Sequence, residues 1–287
     1  MDFARPQKRA YPPARSAGPT RAGALALAAV LLAWLPAAAF ERRCARAQGL
    51  AGDEKAIPAL SEKIENGLPI RIVALGSSST EGTPDLPKEA VFPAVLAREL
   101  ARQVLAPVEL VNKGRGGETI PRMVARLERD VISLKPDLLV WQLGANDVLQ
   151  MDGVQNSVEL MRATLGRLHA LRIPVVLVDL QMAPVFERDR DTPVMQEAIR
   201  EAGKREGVMH FHRQAIMKRL VDLREATEQD LVQQDGLHMT TLGHFCTGAL
   251  LARQIARAGM LKRSEGTAAP PLASPLPLTS AHASGRD

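Results

Sequence analysis

A chain of 287 residues, 46% of them hydrophobic, is long enough to bury one ample domain. Only 3% are aromatic, so the core must be mostly aliphatic. The formal charge of +5 comes from the N-terminal end, where the first 47 residues hold eight Lys or Arg against two acids; the remainder is near neutral, has no separate basic patch and gives no footing for nucleic acid.

Residues 1–47 read as an export segment. Arg5, Lys8, Arg9, Arg15 and Arg21 form a basic flank, and residues 23–40 are an apolar run broken only by Pro36. Ala45-Arg46-Ala47 fits a small-x-small cleavage pattern that would leave Gln48 as the new N-terminus. The run is also long enough to span a bilayer, so an uncleaved membrane anchor through residues 23–40 is the alternative. Either way the flanking charge keeps the N-terminus cytoplasmic, and the domain is expected to be exported, periplasmic or secreted. Cleavage would remove Cys44 and leave Cys246 alone as a small core residue. No disulfide framework and no CxxC spacing is expected. At the other end, residues 264–287 hold Pro270, Pro271, Pro275 and Pro277 among Ala, Ser and Thr, the composition of a disordered tail. The folded domain is expected over residues 53–263.

Within it, strands and helices alternate. Ile70-Arg-Ile-Val-Ala-Leu75 reads as a strand that ends in Gly76 and three serines. A helix over 92–105 follows, with Val95, Leu96, Leu100 and Val104 at helical spacing. A short strand is expected over 108–112 and a helix over 120–134, with Pro121 in its first turn. A nearly all-apolar strand over 137–143 precedes a helix over 157–171. A strand over 174–180 leads to a helix over 193–206, with Thr192 as N-cap. The last strand is expected over 208–212, then a helix from about 214 and a final helix over 241–258. Continuous apolar strands separated by amphipathic helices predict a parallel five-stranded sheet with helices on both faces, a three-layer α/β/α sandwich.

Four polar clusters fall where ligands collect in such sheets, at the carboxyl ends of the strands and in the last loop. They are Gly76-Ser-Ser-Ser-Thr80, Asn112-Lys-Gly-Arg-Gly-Gly-Glu-Thr119, Gly144-Ala-Asn-Asp147 and Asp235-Gly-Leu-His238. In this order and spacing they resemble the blocks of the SGNH hydrolases, the GDSL esterase/lipase family, over about residues 70–260. The resemblance implies a flavodoxin-like strand order. It places the nucleophile on Ser78, with Ser77 where Asp is commoner. It puts the oxyanion hole on the Ser78 and Gly117 N–H groups and the Asn146 amide, and completes the triad with His238 and Asp235.

The chemistry requires those residue types. A serine hydroxyl is a weak nucleophile and needs a base. An imidazole is the natural base near neutral pH, and a carboxylate must hold its tautomer. Asp235 lies three residues before His238, close enough to bend back to the ring. A tetrahedral oxyanion needs preorganised donors. The expected activity is hydrolysis of carboxylic esters (short acyl, lysolipid or acetylated carbohydrate) through an acyl-enzyme, with no cofactor and no metal. A non-catalytic binding module on the same fold is the alternative; a phosphate-binding loop at residues 76–82 lacks the Gly-Lys-Ser/Thr ending of a P-loop. Ser77 and Ser79 are rival nucleophiles. Asp147 reads as a structural brace. His210 and His212 share one strand face as weak metal candidates, and His244 falls on the last helix. Arg115 and the 182–191 loop are candidates to line the cleft.

Overall fold

The computed structural model describes residues 42–52, 55–150 and 153–261. The apolar run at 23–40 and the tail at 264–287 lie outside them. In chain order the main elements are α1 (Pro58–Glu65), β1 (Ile70–Gly76), α2 (Ser78–Glu81), α3 (Phe92–Val104), β2 (Val108–Gly114), α4 (Ile120–Ala125), α5 (Leu127–Asp130) and β3 (Leu138–Gln142). Then come α6 (Ala145–Gln150), α7 (Gln155–Ala170), β4 (Val175–Val178), α8 (Pro184–Glu187), α9 (Thr192–Ala202), β5 (Val208–Phe211), α10 (Arg213–Asp222), α11 (Glu228–Leu231) and α12 (Thr241–Met260).

All strand pairs are parallel, and the order is β2-β1-β3-β4-β5, the flavodoxin-like order. Every residue of β3, β4 and β5 is buried, as strands covered on both faces must be. Helices α1, α3 and α12 pack together on one face of the sheet, and α4, α7 and α9 on the other. The core is aliphatic, with Trp141 as its largest fully buried side chain; the indole Nε1–H points at Met123 Sδ, 3.3 Å away.

Three expectations need correction. The helix over 120–134 is broken at Arg126, whose backbone leaves helical geometry at φ −112°. At the break Arg126 is buried and donates to Glu118, Asp130 and the Lys113 carbonyl, so the charge is turned inward and paired rather than left on a solvent-facing helix surface. The N-cap of α9 is Asp191, not Thr192, whose hydroxyl makes no capping bond.

The third correction concerns the N-terminal segment. Cys44 and Cys246 form a disulfide, with Cα atoms 5.2 Å apart across 202 residues of sequence. The bond pins residues 42–52 to α12. Cys44 and Ala47 are each 1% exposed, Arg43 Nε donates to the Glu225 carbonyl, and the His212 N–H donates to the Ala51 carbonyl. The folded region therefore starts well before residue 53, and Cys246 is not a lone core thiol. Cys44→Ser should lower stability by about 2–5 kcal/mol, measured by denaturant unfolding. An equal loss in wild type on adding reductant would tie the effect to the bond itself.

His244 on α12 is 1% exposed and accepts from the Phe92 N–H through Nδ1. Burial, with Arg213 and His238 adding to it, pushes its pKa down to about 3. The unfolded chain thus takes up this proton near 6.5 and the folded one does not. Its contribution is full above about pH 6.5 and is lost as pH falls toward 3, at up to about 1.4 kcal/mol per pH unit. Unfolding titrations from pH 7 to 4 should show a shallower acid limb in His244→Gln than in wild type.

Candidate active site

The strand order brings the four clusters to one edge of the sheet. β1 ends at Gly76, and the chain turns at once into α2, so Ser78 opens a one-turn helix with Ser77 as its extended N-cap. Of the three serines, Ser77 and Ser79 are buried and Ser78 alone is partly open.

His238 Nε2 lies 3.0 Å from Ser78 Oγ, and His238 Nδ1 lies 2.5 Å from Asp235 Oδ2. Asp235 Oδ1 accepts from the Leu237 and His238 N–H groups at 2.9 Å each, which closes the loop tightly around the carboxylate. Desolvation pushes the Asp235 carboxyl up, but the hydrogen bonds from the His238 ring and the two amides outweigh it and hold it below the usual range. A carboxylate that stays ionised takes the Nδ1 proton as its partner. Nε2 is then left to accept from the Ser78 hydroxyl.

The glycine-rich loop after β2 is pressed against α2. A Cβ at Gly114 would sit 2.2 Å from the Glu81 nitrogen, so only glycine allows the approach. Asn112 Nδ2 donates to the Thr80 carbonyl at 2.6 Å, and the Gly116 N–H donates to Glu81 Oε2 at 2.6 Å. Gly117 adopts φ +73°, and its N–H makes no hydrogen bond among the described residues. Asn146, on the first turn of α6, donates through Nδ2 to the Glu118 carbonyl at 3.0 Å and accepts from Gln150 Nε2. One amide hydrogen is thus used for orientation, and the second remains for a ligand.

Asp147 is fully buried and braces the site. Its carboxylate accepts from the Ile120 N–H and from Ser157 Oγ, the latter at 2.6 Å. Burial raises its pKa against those bonds. Arg115 pairs with Asp130 at 3.3 Å. Among the described residues no group of three His, Cys, Asp or Glu side chains converges as a metal site, so His210 and His212 gather no ligand set.

Gln142 escaped the sequence reading. It is the last residue of β3 and fully buried. Its Oε1 accepts from the Ser77 N–H, Ser77 Oγ and Thr80 Oγ1, at 2.8, 3.1 and 3.0 Å. One amide oxygen therefore ties the nucleophile turn to the strand that leads to Asn146. The signal was present: one polar residue in the otherwise apolar run 138–143 must have a hydrogen-bonding task.

The model of the Non-GDSL lipase-like family matches residues 43–260. No curated protein matches the chain in sequence. Among solved structures, the fold is similar to a two-domain esterase active on acetylated mannans (TM-score 0.62, 18% identity, 80% of this chain and 60% of that one). It is similar also to the acetylxylan esterase from Geobacillus stearothermophilus (0.53, 21%, 68% and 97%). A third likeness is to a protein described as lipolytic, of the G-D-S-L family, from Desulfitobacterium hafniense DCB-2 (0.52, 20%, 64% and 98%). The architecture is that of the SGNH/GDSL-like hydrolases.

Proposed function

The chain belongs to the Non-GDSL lipase-like family, and from that premise we propose that it is a serine hydrolase of carboxylic esters. The observation that carries the proposal is the unbroken hydrogen-bonded line from Ser78 Oγ through the His238 ring to Asp235. His238 takes the Ser78 proton as Oγ attacks the ester carbonyl. The oxyanion is received by the Ser78 and Gly117 N–H groups and the second hydrogen of the Asn146 amide. His238 returns the proton to the departing alcohol, and water repeats the cycle on the acyl-enzyme. A non-catalytic module would have no need of this line, with Ser78 as the only partly open serine of three. A fluorophosphonate should label wild-type protein stoichiometrically on Ser78, read by peptide mass spectrometry. Absence of labelling would leave the binding-module reading standing.

Among the ester classes we place acetylated carbohydrate first, ahead of short acyl and lysolipid esters. Two proteins of the same fold act on acetylated mannan and acetylxylan. Rates on acetylated oligosaccharides against 4-nitrophenyl acetate and a lysophospholipid decide the order.

We infer also that the domain is exported. A disulfide between its first and last folded segments suits an oxidising compartment. Scission must then fall before Cys44 rather than after Ala47, and Ala37-Ala38-Ala39 offers the same small-x-small pattern. Mass spectrometry of the exported protein should find Phe40 at the N-terminus. Gln48 there would overturn the revision, and Met1 in a membrane fraction would favour the anchor through residues 23–40.

A further inference from the structure

Asp235 orients the His238 ring only with respect to its own loop. The carboxylate, the two amides that donate to it and the imidazole all lie within residues 235–238. Ser78 sits elsewhere in the fold, at the start of α2. Proton transfer needs the ring fixed relative to Ser78, because a small misplacement of a catalytic group is costly. Something must therefore hold the loop itself.

Its stem is tied by Gln233. The Gln233 N–H donates to the His238 carbonyl at 2.7 Å, and Gln233 Nε2 donates to the Met239 carbonyl at 3.0 Å and to Thr83 Oγ1 at 3.3 Å. The tip is not held by depth, since the Asp235 side chain is 44% exposed and that of His238 23%. Besides the contact between His238 and Ser78, one hydrogen bond joins residues 235–238 to the domain beyond residues 233–239, among the described residues. Gln181 Nε2 donates to the Leu237 carbonyl at 2.9 Å.

Gln181 is 1% exposed and lies three residues after β4. Its amide can face only one way. Arg213, the first residue of α10, donates through Nη2 to Gln181 Oε1 at 2.9 Å and also to the Asp179 carbonyl. A guanidinium carries donors and no acceptor, so Oε1 must face it and Nε2 is left to the Leu237 carbonyl. Burial pushes the Arg213 pKa down to about 10 against the pull of Asp179, and the group stays charged at neutral pH. Stability alone gives little reason for this arrangement. Arg213 is 0% exposed, and its Nε and Nη1 have no hydrogen-bond partner among the described residues. An apolar residue of like volume would serve the fold as well.

We infer that Gln181 is a positioning residue of the esterase centre, oriented by Arg213 and holding the Leu237 carbonyl so that the adjacent His238 stays in reach of Ser78. The inference rests on the esterase reading.

Two substitutions separate positioning from a role in the fold. Gln181→Met leaves both Arg213 and the Leu237 carbonyl without a partner. Gln181→Glu keeps an acceptor for Arg213 and turns a second acceptor against the Leu237 carbonyl. The Tm of Gln181→Glu should therefore equal or exceed that of Gln181→Met. Turnover should rank the other way: kcat should fall about tenfold in Gln181→Met and further in Gln181→Glu, with KM within about twofold of wild type in each. A residue serving only the fold would make kcat follow Tm. That ranking overturns the inference, as do kcat values within twofold of wild type in both variants, or a raised KM with kcat intact. Should Gln181→Met fail to fold, the kcat of Gln181→Glu against wild type decides alone. Fluorophosphonate labelling of the wild type reads the esterase proposal separately: labelled wild type with unimpaired Gln181 variants removes only the positioning role, and unlabelled wild type removes the esterase.

Discussion

Ser78→Ala should lower kcat/KM for ester hydrolysis by about 10⁴–10⁶-fold, the loss seen when a serine triad loses its nucleophile. The Tm should stay within a degree or two, because the hydroxyl is partly open and its one hydrogen bond is to His238. His238→Ala should be similarly inactive. The adjacent serines act as controls of different kinds. Ser79 is buried and it is Ser78 that His238 Nε2 meets, so Ser79→Ala should keep fluorophosphonate labelling. Ser77→Ala removes one of three bonds to Gln142 Oε1 and should weaken activity far less than Ser78→Ala, since the Ser77 N–H bond survives. Full activity in Ser78→Ala with loss in Ser77→Ala would show that the nucleophile is misassigned.

Asn146→Ala should cost roughly 10²–10³ in kcat, the value of one oxyanion-hole donor. KM should change little, because the bond reaches full strength only as charge develops on oxygen. The structure sharpens the test. Asn146 is held on both sides, by the Glu118 carbonyl and by Gln150. Gln150→Ala releases one of those restraints but leaves the donor in place, so its loss in kcat should be much smaller. An equal loss in the two variants would mean that Asn146 acts by ordering the loop. A raised KM with kcat intact would make it a substrate-binding group.

The central architecture was legible because each strand is a short apolar run and each loop at the functional edge is marked by Gly, Ser or Asn. The strand order followed from the family resemblance alone, and the Ser78, Asn146 and His238 blocks from that punctuation together with it. Features that rest on pairing across space were not legible. Nothing in the sequence marks Arg126 for burial between Glu118 and Asp130. Glu81 gives no sign in sequence that it will hold the Gly116 amide. The cysteines were misread for a different reason. A cleavage site after Ala47 leaves Cys246 without a partner, and two cysteines 202 residues apart carry no spacing signal of their own.

That pairing also makes the domain a covalent ring. From Cys44 to Cys246 the main chain passes through every strand of the sheet and returns to its starting point. A single proteolytic nick anywhere between them, in the loop after β4 for instance, opens the ring without releasing a fragment. The two pieces stay joined as well as folded, so a nicked molecule should run as one band on a non-reducing gel and as two after reduction. A first cut in that loop would then leave Ser78 and His238 on one molecule.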